Sequence, residues 1–291
     1  MSATSSPTFD RIGVLGAGLM GSGIAEVSAK SGASVVVVEA NDVAAKAGRD
    51  RIETSLARGV KAGKLDEAEQ AAILDRIAYS SELDALADRQ LVVEAIIEDE
   101  DVKTSVFRDL DQIVADDDAI LASNTSSIPI MKLAMATRRP EHVLGIHFFN
   151  PVPVLHLVEL VTSLHTSEDV IERAQSFSAQ QLGKRVIHSQ DRAGFIVNAL
   201  LIPYILSAVR MFESGFASKE DIDQGMVTGC AHPMGPLALA DLIGLDTTKA
   251  VAESLYEEFK EQLYAPPPLL ARMCEAGLLG RKTGRGFYDY R

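Results

Sequence analysis

The pair of residues in this chain best suited to moving a proton is an imidazole and a carboxylate twelve positions apart, His147 and Glu159. A histidine that takes a proton from a substrate needs a partner that fixes its tautomer and stabilises the imidazolium. Glu159, the one carboxylate in the apolar run LHLVELV, is the nearest candidate in sequence. His147 lies in the apolar run Val143 to Phe149, with Asn150 just beyond it, and a second apolar run, Ala119 to Ala122, ends in Ser123 to Ser127. In an open α/β sheet, ligands bind outside the carboxyl ends of the strands, so these polar groups should converge on one cleft. The other histidines, His142, His156, His165, His188 and His232, have no motif partner of equal weight and read as structural or surface residues. His156 has the opposite side-chain parity to Glu159 and is not paired with it.

A second constellation binds rather than reacts. Arg11 to Leu15 is a short apolar run followed at once by Gly16, Ala17, Gly18, Leu19, Met20 and Gly21 in the G-x-G-x-x-G spacing. The first glycine allows a tight turn, the second lets a pyrophosphate approach the backbone, and the third permits close helix packing. A helix over Ser22 to Lys30 and a second strand over Ala33 to Val38 follow, and Glu39 closes that strand 18 residues after Gly21. An acid there binds the adenosine ribose hydroxyls and repels a 2′-phosphate, which selects NAD over NADP.

These groups need a scaffold, and the rest of the chain supplies one. Asp42 to Gly63 and Asp66 to Asp75 read as two helices forming a protruding hairpin, about residues 42–77. Ser55, Arg58, Lys61 and Lys64 share a face of it, and taken alone they suit a solvated surface better than a clamp for a phosphorylated substrate tail. Leu91 to Ile97 is a buried strand ending in Glu98, and a helix from about Glu100 to Val114 carries Lys103 near its start, where the helix dipole disfavours a cation. Glu98 and Lys103 are therefore a pair to test. Strands over Ile120 to Ala122, Val143 to His147, Leu155 to Val161 and Arg185 to His188, with helices at Ile128 to Ala136 and Val170 to Leu182, complete a mainly parallel doubly wound sheet. After about residue 190 the pattern turns to helices alone. The expected class is α/β, a Rossmann-like doubly wound sheet (1–190) with an all-helical C-terminal domain (191–291). The first C-terminal helix, Phe195 to Ser214, is apolar on more than one face and predicts a subunit interface. Ser218 should cap the next helix, and Asp246 a later one.

Composition sets the outer bounds. With 47% hydrophobic and 24% charged residues, the chain falls in the range of soluble globular proteins. A net charge of −13 excludes a nucleic-acid partner, which needs a basic footprint. No apolar stretch reaches membrane-spanning length, and MSATSSPTFD reads as a frayed tail rather than a secretory signal, so a cytoplasmic location is expected. Cys230 and Cys274 lack metal-ligand spacing and read as reduced thiols; no metal site is expected.

The ordered set GAGLMG, SNTSS, HFFNPVPVLHLVEL, GFIVN and HPMGP resembles the 3-hydroxyacyl-CoA dehydrogenases from Arg11 to the terminal KTGRGFYDY, and within them the stand-alone bacterial type of actinobacterial fatty-acid oxidation. The resemblance implies an NAD-dependent enzyme that interconverts a 3-hydroxyacyl-CoA and a 3-ketoacyl-CoA, such as 3-hydroxybutyryl-CoA and acetoacetyl-CoA, and that forms a homodimer. It implies His147 as the catalytic base, Glu159 as its acidic partner, and Ser126 and Asn198 as polar residues contacting substrate. It also implies NAD contacts from the glycine turn, Glu39, Glu98, Lys103, Ser126, Asn150 and Lys282, and it makes the hairpin around Ser55, Lys61 and Lys64 the receiver of the CoA nucleotide. Three positions depart from the family pattern: Glu39 replaces the usual aspartate, Ala193 stands in the proline position of PGFIVN, and Ala62 follows Lys61 where a lysine pair is common. Two other functions suit the nucleotide turn: a dehydrogenase of a free 3-hydroxy acid, and a non-catalytic NAD-binding sensor.

Overall fold

The computed structural model describes residues 9–291, and most of the predicted N-terminal tail lies outside them. The described chain forms two compact units, one up to Arg192 and one from Ala193 onward.

In the first unit, β1 (Arg11–Leu15) leads through the glycine turn into α1 (Leu19–Lys30) and back into β2 (Ser34–Val38). Next come α2 (Asp42–Lys61) and α3 (Glu67–Leu74), the predicted hairpin. Each is started by a side chain that satisfies an orphan backbone donor: Asn41 accepts from the Ala44 N–H, and Asp66 and Glu69 form a reciprocal capping box. The chain continues through β3 (Ile77–Ser80), β4 (Leu91–Glu94), α4 (Glu100–Ile113), β5 (Ile120–Ser123), α5 (Ile130–Ala134), β6 (Val143–Phe148), β7 (Leu157–Thr162), α6 (Glu168–Ser176) and β8 (Arg185–Gln190).

The strands form one sheet in the order β3-β2-β1-β4-β5-β6-β7-β8. All neighbours are parallel except β6 and β7. The inner strands are buried throughout, as helices on both faces require, and this is why they read as unbroken apolar runs. With β1 between β2 and β4, the strand order reverses there, and a crevice opens at the carboxyl ends of β1 and β4.

Two strands of the sheet differ from expectation. Strand β3 has no apolar run to announce it, since it is a four-residue edge strand with only Ile77 buried. Strand β7 runs against β6 because residues 149–156 are too few for a parallel crossover, which takes about a dozen residues or more.

The second unit is all helical: α7 (Val197–Glu213), α8 (Lys219–Gly229), α9 (Pro236–Ile243), α10 (Leu245–Phe259) and α11 (Pro268–Glu275). Helix α7 begins at Val197 rather than Phe195, because Gly194 and Phe195 both take positive φ, 75° and 50°. Much of its apolar surface is used within its own unit. Ile202, Ile205, Leu206 and Val209 pack with Leu237, Leu245 and Leu255, while Leu200 stays exposed. Ser218 caps α8 as expected, accepting from the Asp221 N–H. Asp246 does not cap α10, since Gly244 at φ 104° already breaks the chain from α9; Asp246 lies in the first turn. Among the described residues no helix is long and apolar enough to cross a membrane.

Candidate active site

The glycine turn is built as its spacing predicts, with each glycine serving a different need. Gly16 has φ 94°, and a Cβ there would lie 2.6 Å from the Ala95 carbonyl oxygen. A Cβ on Gly21 would run into the Gly16 carbonyl oxygen. Protein packing thus demands the first and third glycines. Around Gly18 a Cβ would meet nothing within 4 Å, so its lack of a side chain leaves room for a ligand. Gly18 is also the N-cap of α1, which has no side-chain cap and no acid in its first turn, so the positive end of the helix faces that space.

Beside the turn lies a cavity of about 730 Å³, lined by Gly16, Gly18, Met20, Glu39, Leu83 and Ile96 among others. Glu39 sits at its edge, accepting hydrogen bonds from the Ala17 N–H at 2.5 Å and the Ala40 N–H at 3.1 Å. Arg51, one of several arginines on α2 and not distinguished by sequence, donates to the Ala17 carbonyl at 3.0 Å and pins the turn from the other side.

His147 and Glu159 occupy one rung of the β6–β7 ladder. His147 and Glu159 are direct cross-strand partners, and Nδ1 of His147 lies 2.7 Å from Oε2 of Glu159. Facing side chains in an antiparallel pair are close neighbours. Glu159 is fully buried and His147 is 7% exposed. A carboxylate oxygen facing Nδ1 suits the tautomer with the proton on Nδ1 and the lone pair on Nε2. The rung is braced from three sides. Phe149 packs against the imidazole, with ring centroids 4.6 Å apart. Asn124 accepts from the Phe148 N–H at 2.9 Å, tying the end of β6 to that of β5. The ammonium of Lys184, buried beneath the turn, donates to the carbonyls of Val152 and Leu155 at 2.6 and 2.7 Å and so fixes the segment joining the two strands. Burial pushes the Lys184 ammonium below its usual range, opposed by nearby Glu26.

Ser126 lies in the loop after β5, and Glu98 organises that loop. One oxygen of Glu98 accepts from Thr125 Oγ1 at 2.5 Å, the Ser126 N–H at 2.9 Å, and Ser127 through both N–H and Oγ. The hydroxyl of Ser126 itself makes no hydrogen bond among the described residues. Burial pushes the Glu98 carboxyl up, but the Lys103 ammonium and the hydrogen bonds from the loop outweigh it and hold the group below the usual carboxylate range. Lys103 is 1% exposed, its ammonium placed between Glu98 at 3.2 Å and Glu94 at 2.5 Å. It is thus a buried strut rather than a surface residue, and these two carboxylates offset the unfavourable dipole at the start of α4. Glu94, hidden at the end of an apolar strand, escaped the sequence reading.

The remaining predicted residues are distributed as follows. Asn150 is exposed just past the end of β6. Ser55 is half-buried and hydrogen-bonds Glu26 of α1, whose carboxyl is pushed up by burial and brought partly back by that bond. Lys61 and Lys64 are exposed at the C-terminal end of α2 and just beyond it. In the helical unit Asn198 is the second residue of α7, half-buried, and Lys282 is ion-paired with Asp246 at 2.5 Å.

A dinucleotide turn with an acid after β2, in one sheet with a buried histidine–carboxylate rung, is the equipment of a nicotinamide-dependent alcohol dehydrogenase. The NAD-binding-domain model of the 3-hydroxyacyl-CoA dehydrogenases matches residues 11–192, and the C-terminal-domain model of the same family matches residues 194–290. The chain belongs to that family and carries its NAD-binding domain. It is 58% identical over 285 residues to a 3-hydroxybutyryl-CoA dehydrogenase of Mycobacterium tuberculosis, covering 98% of this chain and 100% of the relative. The crystal structure of M. tuberculosis FadB2 superimposes with a TM-score of 0.96 at 57% identity, covering 97% of this chain and 99% of that one. The (S)-3-hydroxybutyryl-CoA dehydrogenase PaaH1 of Ralstonia eutropha gives a TM-score of 0.92 at 47% identity, with coverage of 97% and 99%.

Proposed function

We propose that the protein oxidises 3-hydroxybutyryl-CoA reversibly to acetoacetyl-CoA with NAD, and that His147 and Glu159 carry the proton transfer. The observation that supports this most is the buried rung, in which Oε2 of Glu159 faces Nδ1 of His147 at 2.7 Å, an arrangement that suits Nε2 as the base. NAD, when bound, would supply the acceptor for the hydride that leaves C3. The hydroxyl proton goes to Nε2 of His147, and Glu159 stabilises the imidazolium that forms. In reduction the imidazolium returns that proton to the carbonyl oxygen. Ser126 and Asn198 hydrogen-bond the substrate oxygens and keep C3 facing the nicotinamide. The glycine turn and α1 would hold the pyrophosphate and Glu39 the adenosine ribose, and Glu98, Lys103, Asn150 and Lys282 would complete the cofactor site, with Lys103 acting through Glu98. A cytoplasmic homodimer completes the reading.

The test is the loss of reduced-nicotinamide absorbance with acetoacetyl-CoA, comparing NADH with NADPH and using free acetoacetate as control. Fast, NADH-selective, CoA-dependent oxidation is expected. Equal turnover on free acetoacetate would reassign the protein to free hydroxy acids, and tight NADH binding without turnover on either substrate would make it a sensor.

The CoA nucleotide is assigned to the exposed lysines of the hairpin. Changing Lys61 and Lys64 together to glutamine is expected to raise KM for acetoacetyl-CoA about three- to tenfold with kcat unchanged, because each exposed ion pair contributes roughly 0–1 kcal/mol. The effect should fade as ionic strength rises. An unchanged KM at low salt would remove the hairpin from substrate binding.

A further inference from the structure

The loop that carries Ser126 is held at both ends by carboxylates that share one ammonium. At its start, Ser123 Oγ donates to Oε2 of Glu94 at 2.6 Å, and the same Oγ accepts from the Thr125 N–H at 3.1 Å. Further along, Glu98 gathers Thr125, Ser126 and Ser127. Lys103 bridges the two carboxylates. Glu94 also accepts from the Ile96 N–H at 2.8 Å and is wholly buried, which makes it the fixed point of the arrangement. Its register explains the reach: Glu94 pairs with Leu15 at the end of β1 and with Ser123 at the end of β5. The strand that borders the nucleotide crevice therefore also anchors the loop.

A buried carboxylate is costly to desolvate, and a hydrophobic residue at this point would fill the space without that cost. Core packing alone does not require two carboxyl groups around one lysine at this point. What Glu94 does uniquely is hold Lys103 and Ser123 together.

We infer that Glu94 is a positioning residue of the dehydrogenase reaction, acting through Lys103 and Ser123 to fix the place of the Ser126 hydroxyl. The inference rests on the substrate role proposed above for Ser126. Glu94 touches neither substrate nor cofactor in this assignment; without it, the loop keeps its Glu98 bonds but loses its anchor on β4. A displacement of about 1 Å at a group that orients substrate can cost about 100-fold in rate.

The decisive experiment is a double-mutant cycle on the full-length enzyme, reading kcat for acetoacetyl-CoA reduction at saturating NADH. Ser126→Ala alone tests the underlying reading and should lower kcat about 100-fold, as loss of a hydrogen-bond donor to a developing oxyanion does. Glu94→Gln alone should lower kcat about 10- to 100-fold. In the Ser126→Ala background, Glu94→Gln should have almost no further effect. A loss that persists undiminished in that background would make Glu94 a purely structural residue and overturn the inference. So would a Glu94→Gln enzyme with parental kcat. Parental turnover by Ser126→Ala would instead refute the role of Ser126 and the inference with it. Should Glu94→Gln fail to fold, Ser123→Ala, which removes the hydroxyl that links Glu94 to the Thr125 N–H, runs the same cycle with the same non-additivity expected.

Discussion

Replacing His147 by alanine is expected to lower kcat for acetoacetyl-CoA reduction by about 10²- to 10⁴-fold, the range typical of losing a general acid or base. In the proposed mechanism the imidazole serves as acid for the carbonyl oxygen in reduction and as base for the hydroxyl in oxidation, so both directions should fall together. NADH binding, followed by the change in its fluorescence, should be nearly unaffected. The glycine turn, Glu39 and the cavity beside them are formed by β1, α1, β2, the segments after β3 and β4, and α4, whereas His147 lies on β6. The fold should persist, because the phenyl ring of Phe149 and the strand pairing remain. Turnover within a few-fold of the parent enzyme would falsify the assignment of the proton transfer to His147.

Glu159→Gln is expected to cost a comparable amount, about 10²- to 10⁴-fold in kcat, by analogy with the loss that follows when a serine-protease aspartate becomes asparagine. The substitution is isosteric, so the buried space stays filled. What changes is charge and tautomer. A glutamine can present its amide N–H₂ to Nδ1, which moves the ring proton to Nε2, where the lone pair is needed. Even with the amide oxygen facing the ring, the imidazolium loses its counter-charge. The double variant His147→Ala, Glu159→Gln should be no slower than His147→Ala alone, since residues acting as a unit are strongly non-additive. If the two losses multiplied instead, Glu159 would be serving the fold rather than the imidazole.

Much of this site could be read before any coordinates, and the reasons are local. The glycine turn is legible because backbone geometry at Gly16 and close packing at Gly21 leave no alternative residue. Buried parallel strands announce themselves as continuous apolar runs, so β1, β2, β4, β5 and β6 were expected, whereas β3, short and half-exposed, carries no such pattern. His147 and Glu159 could be paired by chemistry alone, but the antiparallel turn that makes them face each other was not foreseen in a sheet expected to be mainly parallel. The buried polar network was the least legible part. Nothing in the run LVVE says that its last residue is buried against a lysine nine positions on, and the unfavourable position of Lys103 was the one visible hint. Ser55 shows the same limit: a serine on a basic helix face reads as surface, and only packing against α1 turns it toward Glu26.

The pairing of β6 and β7 also governs how this chain can change over generations. Because His147 faces Glu159, with Ile146 facing Leu160 and Phe148 facing Val158, sliding one strand by a single residue would set an aliphatic side chain opposite the imidazole. Such a slip also turns every side chain of the moving strand to the other face of the sheet. Between the strands, substitutions can accumulate wherever the carbonyls of Val152 and Leu155 still meet Lys184. An insertion or deletion inside either strand does not have that freedom, because it shifts the register of the pair. The two members of the pair are therefore inherited together: a recombination event that transfers residues 143–162 carries both, in register.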